Sequence, residues 1–330
     1  MRRPELHARL LVAVAALAAI GIPLVFWTRT PLIHARLADN GGWSPAVLHA
    51  QAGVPLRLRL TSDDVVHGFA VGQMATPGVD ILPGKVSEAT VTFDKPGTYT
   101  FYCTRWCGLS HWRMRGTIEV TGGNEAAVAS AAPPLYVSLG LDLDAPHVAS
   151  VLPSDEPKAR LAAAQSSASL AALQSAEYYR AHSPYQTWQD LRRTHALSGL
   201  SDRDLWNATA SIWRSNTTPD ALSQGQRLFS QNCAACHGEK GAGDGVFAGD
   251  LAAAGAASTQ GMAGTGNMTM QTPANFTDAA RMLGASPALL QGKILRGGMG
   301  TGMPSWGPIF TQSQVWDLVA YLYTFQFNYH

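Results

Sequence analysis

Charge is scarce in this chain. Only 14% of its 330 residues are Asp, Glu, Lys or Arg, against roughly 25% in an ordinary soluble domain. The formal net charge is +1, and no basic run interleaves with aromatics, so no nucleic-acid footprint exists. Cysteine is also sparse. There are four, in two tight pairs, Cys103/Cys107 and Cys233/Cys236, and none stands alone. A disulfide framework would space them more widely in a smaller secreted domain, so cofactor chemistry is expected for both pairs.

What the chain does have begins at its N-terminus. Leu10 to Trp27 carries no charge and follows Arg2, Arg3 and Arg9, which predicts a single transmembrane helix with those arginines left in the cytoplasm. A cleaved signal peptide is the alternative, and its apolar part would be shorter. Either way the remainder is expected on the extracytoplasmic or periplasmic side. The organisation expected is a membrane anchor and juxtamembrane segment over 1–42, a β-sandwich over 43–121 and a linker over 122–170. A helical segment over 171–218 and an all-α domain over 219–330 follow.

The sandwich is read from alternation. Val54, Leu56, Leu58 and Leu60 alternate with polar residues, as do Ala89, Val91 and Phe93, and then Tyr99, Phe101 and Cys103, each a strand with one buried face. Thr121 to about Ser169 is rich in Ala, Ser, Pro and Gly without sustained periodicity, hence the linker. Beyond it, Leu200–Trp213 and Phe310–Tyr323 read alike. Each opens on a capping pair, Ser201 with Asp204 and Thr311 with Gln314, and each has Trp in its second turn, Trp206 and Trp316. Two generic capped helices would look similar. A decayed duplication, with the first copy the remnant of a cofactor-bearing domain, is favoured.

Cys103, Cys107, His111 and Met114 stand in FYCTRWCGLSHWRMRG. Two thiolates, an imidazole and a thioether form a soft set suited to copper, and the methionine argues against structural zinc. Two close thiolates can bridge two metals if a second imidazole arrives, and His67 in DVVHGF is the natural donor. A copper-delivery protein of thioredoxin fold also carries C-x3-C, but no βαβ pattern surrounds the motif. The region from about Trp43 to Val120 resembles the CuA domain of cytochrome c oxidase subunit II, also found in nitrous oxide reductase. It shares DVVHGF, GVDILPGK from Gly78 to Lys85, and the Cys103–Met114 loop.

That resemblance implies a cupredoxin fold and a binuclear copper CuA. Cys103 and Cys107 would bridge both coppers, His67 and Met114 would complete one, and His111 with the main-chain carbonyl of Arg105 the other. Lys85 stands where the family has Arg, and no aromatic run precedes the domain. Trp106 is either a tunnelling or docking aromatic or a packing residue beneath the loop.

CAACH, Cys233 to His237, is the attachment pattern for one covalently bound haem c, with His237 toward the iron. Thr218-Pro219-Asp220 starts a helix leading into it. From about Pro219 onward the chain resembles class I cytochromes c. That resemblance implies that Gly225 and Phe229 lie where the first helix packs on the last, and that Met303 in GTGMPSWG would be the sixth ligand. Met299 competes for that role. Met262, Met268, Met270 and Met282 are assigned to loops or packing. The 247–271 insertion departs from compact cytochromes. His34, His49, His147, His182, His195 and His330 lack ligand spacing.

Together the resemblances imply an electron-transfer subunit II of a haem-copper oxidase with no catalytic residue of its own. Its partners would be a membrane subunit I, where oxygen is reduced, and an upstream cytochrome or cupredoxin donor. A nitric oxide-reducing partner, a freestanding redox carrier and a copper-handling protein are the alternatives. Nitrous oxide reduction is disfavoured, since no large His-rich propeller is present.

Overall fold

The computed structural model describes residues 11–14, 30–74, 78–108, 111–122, 133–159, 172–197, 199–253, 272–298 and 302–329. The chain divides into two compact units, Met1–Ala127 and Val128–His330, and each is treated by itself. The expected membrane span lies almost wholly outside the described residues. Among those described, no helix is long and apolar enough to cross a membrane.

The first unit contains two sheets. One runs in the order β2 (Trp43–Ser44), β1 (Leu32–Ala35), β4 (Leu56–Ser62), β7 (Val86–Val91), and the other β3 (Val47–Gln51), β9 (Arg115–Thr121), β8 (Gly97–Tyr102), β5 (His67–Val71), β6 (Val79–Ile81). In strands such as β4 and β9, period-two alternation turns one face inward, while β5 is buried throughout. Ile33, Leu58, Leu60, Val91, Phe101, Ile118 and Val120 therefore meet in one core with Phe69 and Phe93. Trp43 sets its ring edge against Phe69 and Phe101 at 6.0 and 5.4 Å, geometries that aromatic quadrupoles favour.

The sheet begins earlier than residue 43, because β1 pairs parallel with β4 through Ile33 and Leu60. Val54 was expected in the Leu56–Leu60 strand. It falls in the preceding turn and is exposed.

In the second unit the helices are α1 (Leu135–Ser138), α2 (Ala176–Ala181), α3 (Pro184–Arg193), α4 (Asp202–Ser215), α5 (Pro219–Asn232), α6 (Ala234–His237), α7 (Ala279–Gly284), α8 (Pro287–Arg296) and α9 (Gln312–Leu322). Their starts follow from side-chain capping of otherwise orphaned amides. Ser183, Ser201, Thr218, Ser286 and Thr311 each accept the N–H three residues on. α5 crosses α9 at Gly225, where an added Cβ would run into the Asp317 carbonyl and lie 2.7 Å from Tyr321 Cβ. Phe229 fills the same crossing against Tyr321 and Phe325 at 5.4 and 5.5 Å.

Residues 133–159, expected as linker, pack on this unit. Leu143 and Ala149 are buried, the Ala149 amide donates to the Ala280 carbonyl at 2.8 Å, and Asp144 forms a two-pronged ion pair with Arg296. Gly284 and Gly292 leave the room. A Cβ on the first would strike the His147 carbonyl, and on the second Tyr136 and Leu143.

Candidate metal and haem sites

Strand parity delivers the first sulfur. Phe101 and Cys103 share the inward face of β8 and its continuation, so Cys103 reaches the core edge buried at 3% exposure. β8 and β9 pair antiparallel with Tyr102 opposite Arg115, and the Cys103 amide donates to the Met114 carbonyl at 3.1 Å. The ligand loop therefore closes on itself between neighbouring rungs. Within it, Cys107 Sγ lies 3.6 Å from His111 Nδ1 and 3.3 Å from Met114 Sδ, and Cys103 Sγ lies 3.2 Å from the Arg105 carbonyl.

From β5, His67 brings Nδ1 to 3.7 Å from Cys103 Sγ. The ligand atoms of His67, Cys103 and Cys107 all lie within 4.8 Å of one another. All six groups expected on the copper thus converge on one pole of the sandwich.

The neighbours of these groups were not anticipated. Asp64 Oδ1 takes the His67 Nε2–H at 2.7 Å, which fixes the tautomer and aims Nδ1 at the sulfur. The same carboxylate also accepts the Leu37 and Val65 amides, each at 2.7 Å. An acid three residues before a candidate ligand histidine was the signal available in the sequence. The Gly68 amide points at Cys103 Sγ from 3.4 Å. A Cβ on Gly68 would meet the Thr104 hydroxyl, which would have to turn aside. Arg105 turns its side chain outward into a two-pronged pair with Asp80 at 2.8 and 2.7 Å, which leaves its carbonyl facing inward. Trp106 lies 4.6 Å from the His111 ring.

Two thiols this close share a proton unequally. Hydrogen bonding from Cys107, joined by His111, His67 and the Gly68 amide, overcomes burial and pulls the Cys103 thiol down to about 2. The hydrogen bond to Cys103 and burial push Cys107 up. The thiolate that these contacts favour at Cys103 is the form that metals bind. Burial opposes charging of His67, but its bonds to Cys103 and Asp64 together leave it above its ordinary value.

In the second unit, α5 caps at Cys233 and the short α6 carries CAACH. Burial pushes the Cys233 thiol up to about 12 and raises Cys236, so both are protonated thiols. His237 Nδ1 donates to the Ala274 carbonyl at 3.0 Å, which leaves Nε2 free as a ligand. Its ring stacks on Phe276 at 4.7 Å, and desolvation holds it below its usual value, in the neutral form an iron ligand needs. The Met303 loop folds onto the end of α8 through Gly298 N–H to the Met303 carbonyl, Ser305 Oγ to Leu295 and Trp306 N–H to Ile294. Met299, Met262, Met268, Met270 and His330 lie outside the described residues.

Of the remaining histidines, His34 pairs with Asp63, His49 with Glu119, His147 with the Asp142 carbonyl, and His182 stacks on Tyr178.

Residues 45–121 match the family described as cytochrome c oxidase subunit II, periplasmic domain, and residues 222–326 match cytochrome c. A curated cytochrome c oxidase subunit 2 of Thermus thermophilus is 40% identical over 84 residues, which is 26% of this chain and 62% of that protein. A second from the same species is 40% identical over 84 residues, 49% of its length. The chain thus covers less than two thirds of these curated relatives. Among solved structures, the periplasmic domain of subunit II of cytochrome oxidase of Bradyrhizobium japonicum is 27% identical, with a TM-score of 0.22, covering 24% of this chain and 56% of that one. A heme-copper terminal oxidase dimer gives 22% identity, a TM-score of 0.24, and coverage of 36% and 100%. One chain thus carries a stretch, residues 45–121, that matches the periplasmic domain of cytochrome c oxidase subunit II and a second, residues 222–326, that matches cytochrome c.

Proposed function

We propose that this chain is the electron-donating subunit of a haem-copper oxidase, passing electrons from an external donor through a c haem to a binuclear copper site and on to an oxygen-reducing membrane subunit. The observation that carries the reading is the convergence of two thiols, two imidazoles, one thioether and one carbonyl at 3.2–3.7 Å contacts on a chain that also bears CAACH.

That donor set is soft throughout and suits copper. Cys103, Cys107, His67, Met114, His111 and the Arg105 carbonyl would hold the copper between them. Bound copper supplies a one-electron couple. The protein's own part is to hold the donors still: Asp64 orients His67, the Gly68 amide stabilises the Cys103 thiolate, and the Arg105 side chain, paired outward with Asp80, leaves its carbonyl toward the site. Cys233 and Cys236 would hold one haem c covalently, and His237 and Met303 would serve its iron. A filled thioether and imidazole pair favours electron transfer over chemistry at iron. The oxygen chemistry would belong to the partner subunit, with this chain contributing no catalytic residue to it. Its location would be the cell membrane, anchored by one span, with both domains on the periplasmic side.

Quantifying copper and haem per chain, with visible, near-infrared and electron paramagnetic resonance spectra, tests the reading. A mixed-valence signal from two coppers beside one low-spin c haem is expected. A chain that loads one copper or none would refute it and favour a copper-handling cytochrome. Co-purification with a haem-rich membrane subunit separates the docked subunit from a freestanding carrier.

A further inference from the structure

The haem-free helices α2–α4 repeat the layout of α7–α9 beyond the similarity of their last members. α2 and α7 each have 6 residues, and α3 and α8 each have 10. Both pairs are joined through an extended C-cap residue, His182 or Ala285, followed by a Ser N-cap and a Pro at the first helical position, Ser183-Pro184 and Ser286-Pro287. The buried positions correspond too. Tyr179 matches Met282, and Pro184, Thr187, Trp188 and Leu191 match Pro287, Leu290, Gln291 and Ile294. In the final helices Leu205, Thr209, Ala210, Ile212 and Trp213 match Val315, Val319, Ala320, Leu322 and Tyr323.

The packing between the two sets is reciprocal. α2 lies on α8 while α7 lies on α3, an exchange of equivalent contacts that only a local two-fold relation produces. Trp213 and Tyr323, which are equivalent residues, meet each other at 5.7 Å, as a pair on such an axis must. The copies differ at one place. The loop before the last helix is short in the first, Thr194–Leu200, whereas in the second it is longer and contains Met303.

We propose that residues 175–216 are a haem-free copy of the haem domain's C-terminal half and act as its partner within the chain, filling the face on which a second cytochrome copy would otherwise sit. The surface they cover fits a fold like their own, and the chain supplies it internally.

Hydrogen exchange on the haem-loaded full chain tests this directly. Because each copy buries the other's short helix, α2–α4 and α7–α9 should open together with matched protection. Free exchange of α2–α4 while α7–α9 stay protected would overturn the proposal. As a second measurement, full chains lacking residues 172–216 and carrying two different tags are produced together. Bared α7–α8 faces should pair between chains, so that one tag retrieves the other above the level of the undeleted chain. Haem-loaded deletion chains that stay unpaired would equally overturn it, and if the deletion takes up no haem the exchange result decides.

Discussion

Replacing Asp64 with alanine isolates what a carboxylate outside the donor set does for the metal site. The His67 imidazole is fully buried at 0% exposure, and its Nε2–H has the Asp64 oxygen at 2.7 Å. Alanine leaves that buried donor without an acceptor, a cost of about 1–3 kcal/mol. Loss of a partner that orients a metal-bound histidine lowers affinity roughly 10–100-fold, which is about 1.4–2.8 kcal/mol, so the two magnitudes agree. Competition of the apo-protein against a copper chelator reads the affinity, and the near-infrared band of the loaded protein reads site geometry.

Asparagine at 64 separates the two duties of the carboxylate. Its carbonyl can still serve His67, but its amide then faces the Leu37 N–H, which Asp64 accepts at 2.7 Å. Asp64→Asn should therefore keep most of the copper affinity and lose stability. An Asp64→Ala protein with unchanged copper affinity and a lowered melting temperature would refute the orienting role, leaving only the tie to Leu37. The pH dependence has a definite sign. Burial works against ionisation of Asp64, but hydrogen bonds from Leu37, His67 and Val65 together hold it below its ordinary 3.8. Its stabilising share is thus complete above that value and disappears as pH falls through the depressed one. Apo Asp64→Ala should lack that acid-side step.

Arg105→Ala should leave the copper spectrum unchanged, because Arg105 faces the site through its carbonyl and its exposed pair with Asp80 is worth under about 1 kcal/mol; a lost spectrum would mean that the pair sets the loop. Met303→Leu should change the ferric haem spectrum, and an unchanged one would move the ligand to Met299. Gly225→Ala should destabilise the haem domain by about 1–3 kcal/mol, because the obstacle is the Asp317 backbone and not a side chain that can swing away. A Soret-monitored melt at the wild-type temperature would contradict that crossing.

Features written in contiguous residues were legible from the sequence. The alternation in Leu56–Leu60 and Tyr99–Cys103, the caps at Thr218, Ser201 and Thr311, and both cysteine motifs are of this kind. β1 was not read, because a four-residue strand owes its place to parallel pairing with β4 and not to its own pattern. Residues 133–159 read as linker because Tyr136, Leu143 and Ala149 are isolated anchors without a period, each useful only against a glycine gap or carbonyl on another helix. The kinship of α2–α3 with α7–α8 stayed hidden because it survives in helix length, cap and hinge, whereas pairs such as Trp188 and Gln291 share nothing but burial.

The ligand loop of the sandwich is tied off where the Cys103 amide meets the Met114 carbonyl. Every proposed copper donor except His67 lies within that closed segment, and the rungs beyond it pair Tyr102 with Arg115 in undisturbed register. Such a segment is separable in evolution: residues can be gained, lost or exchanged inside it without moving a strand. The kind of metal centre this scaffold holds can then change by rewriting one loop, while the β-sandwich and its single fixed histidine are inherited unaltered.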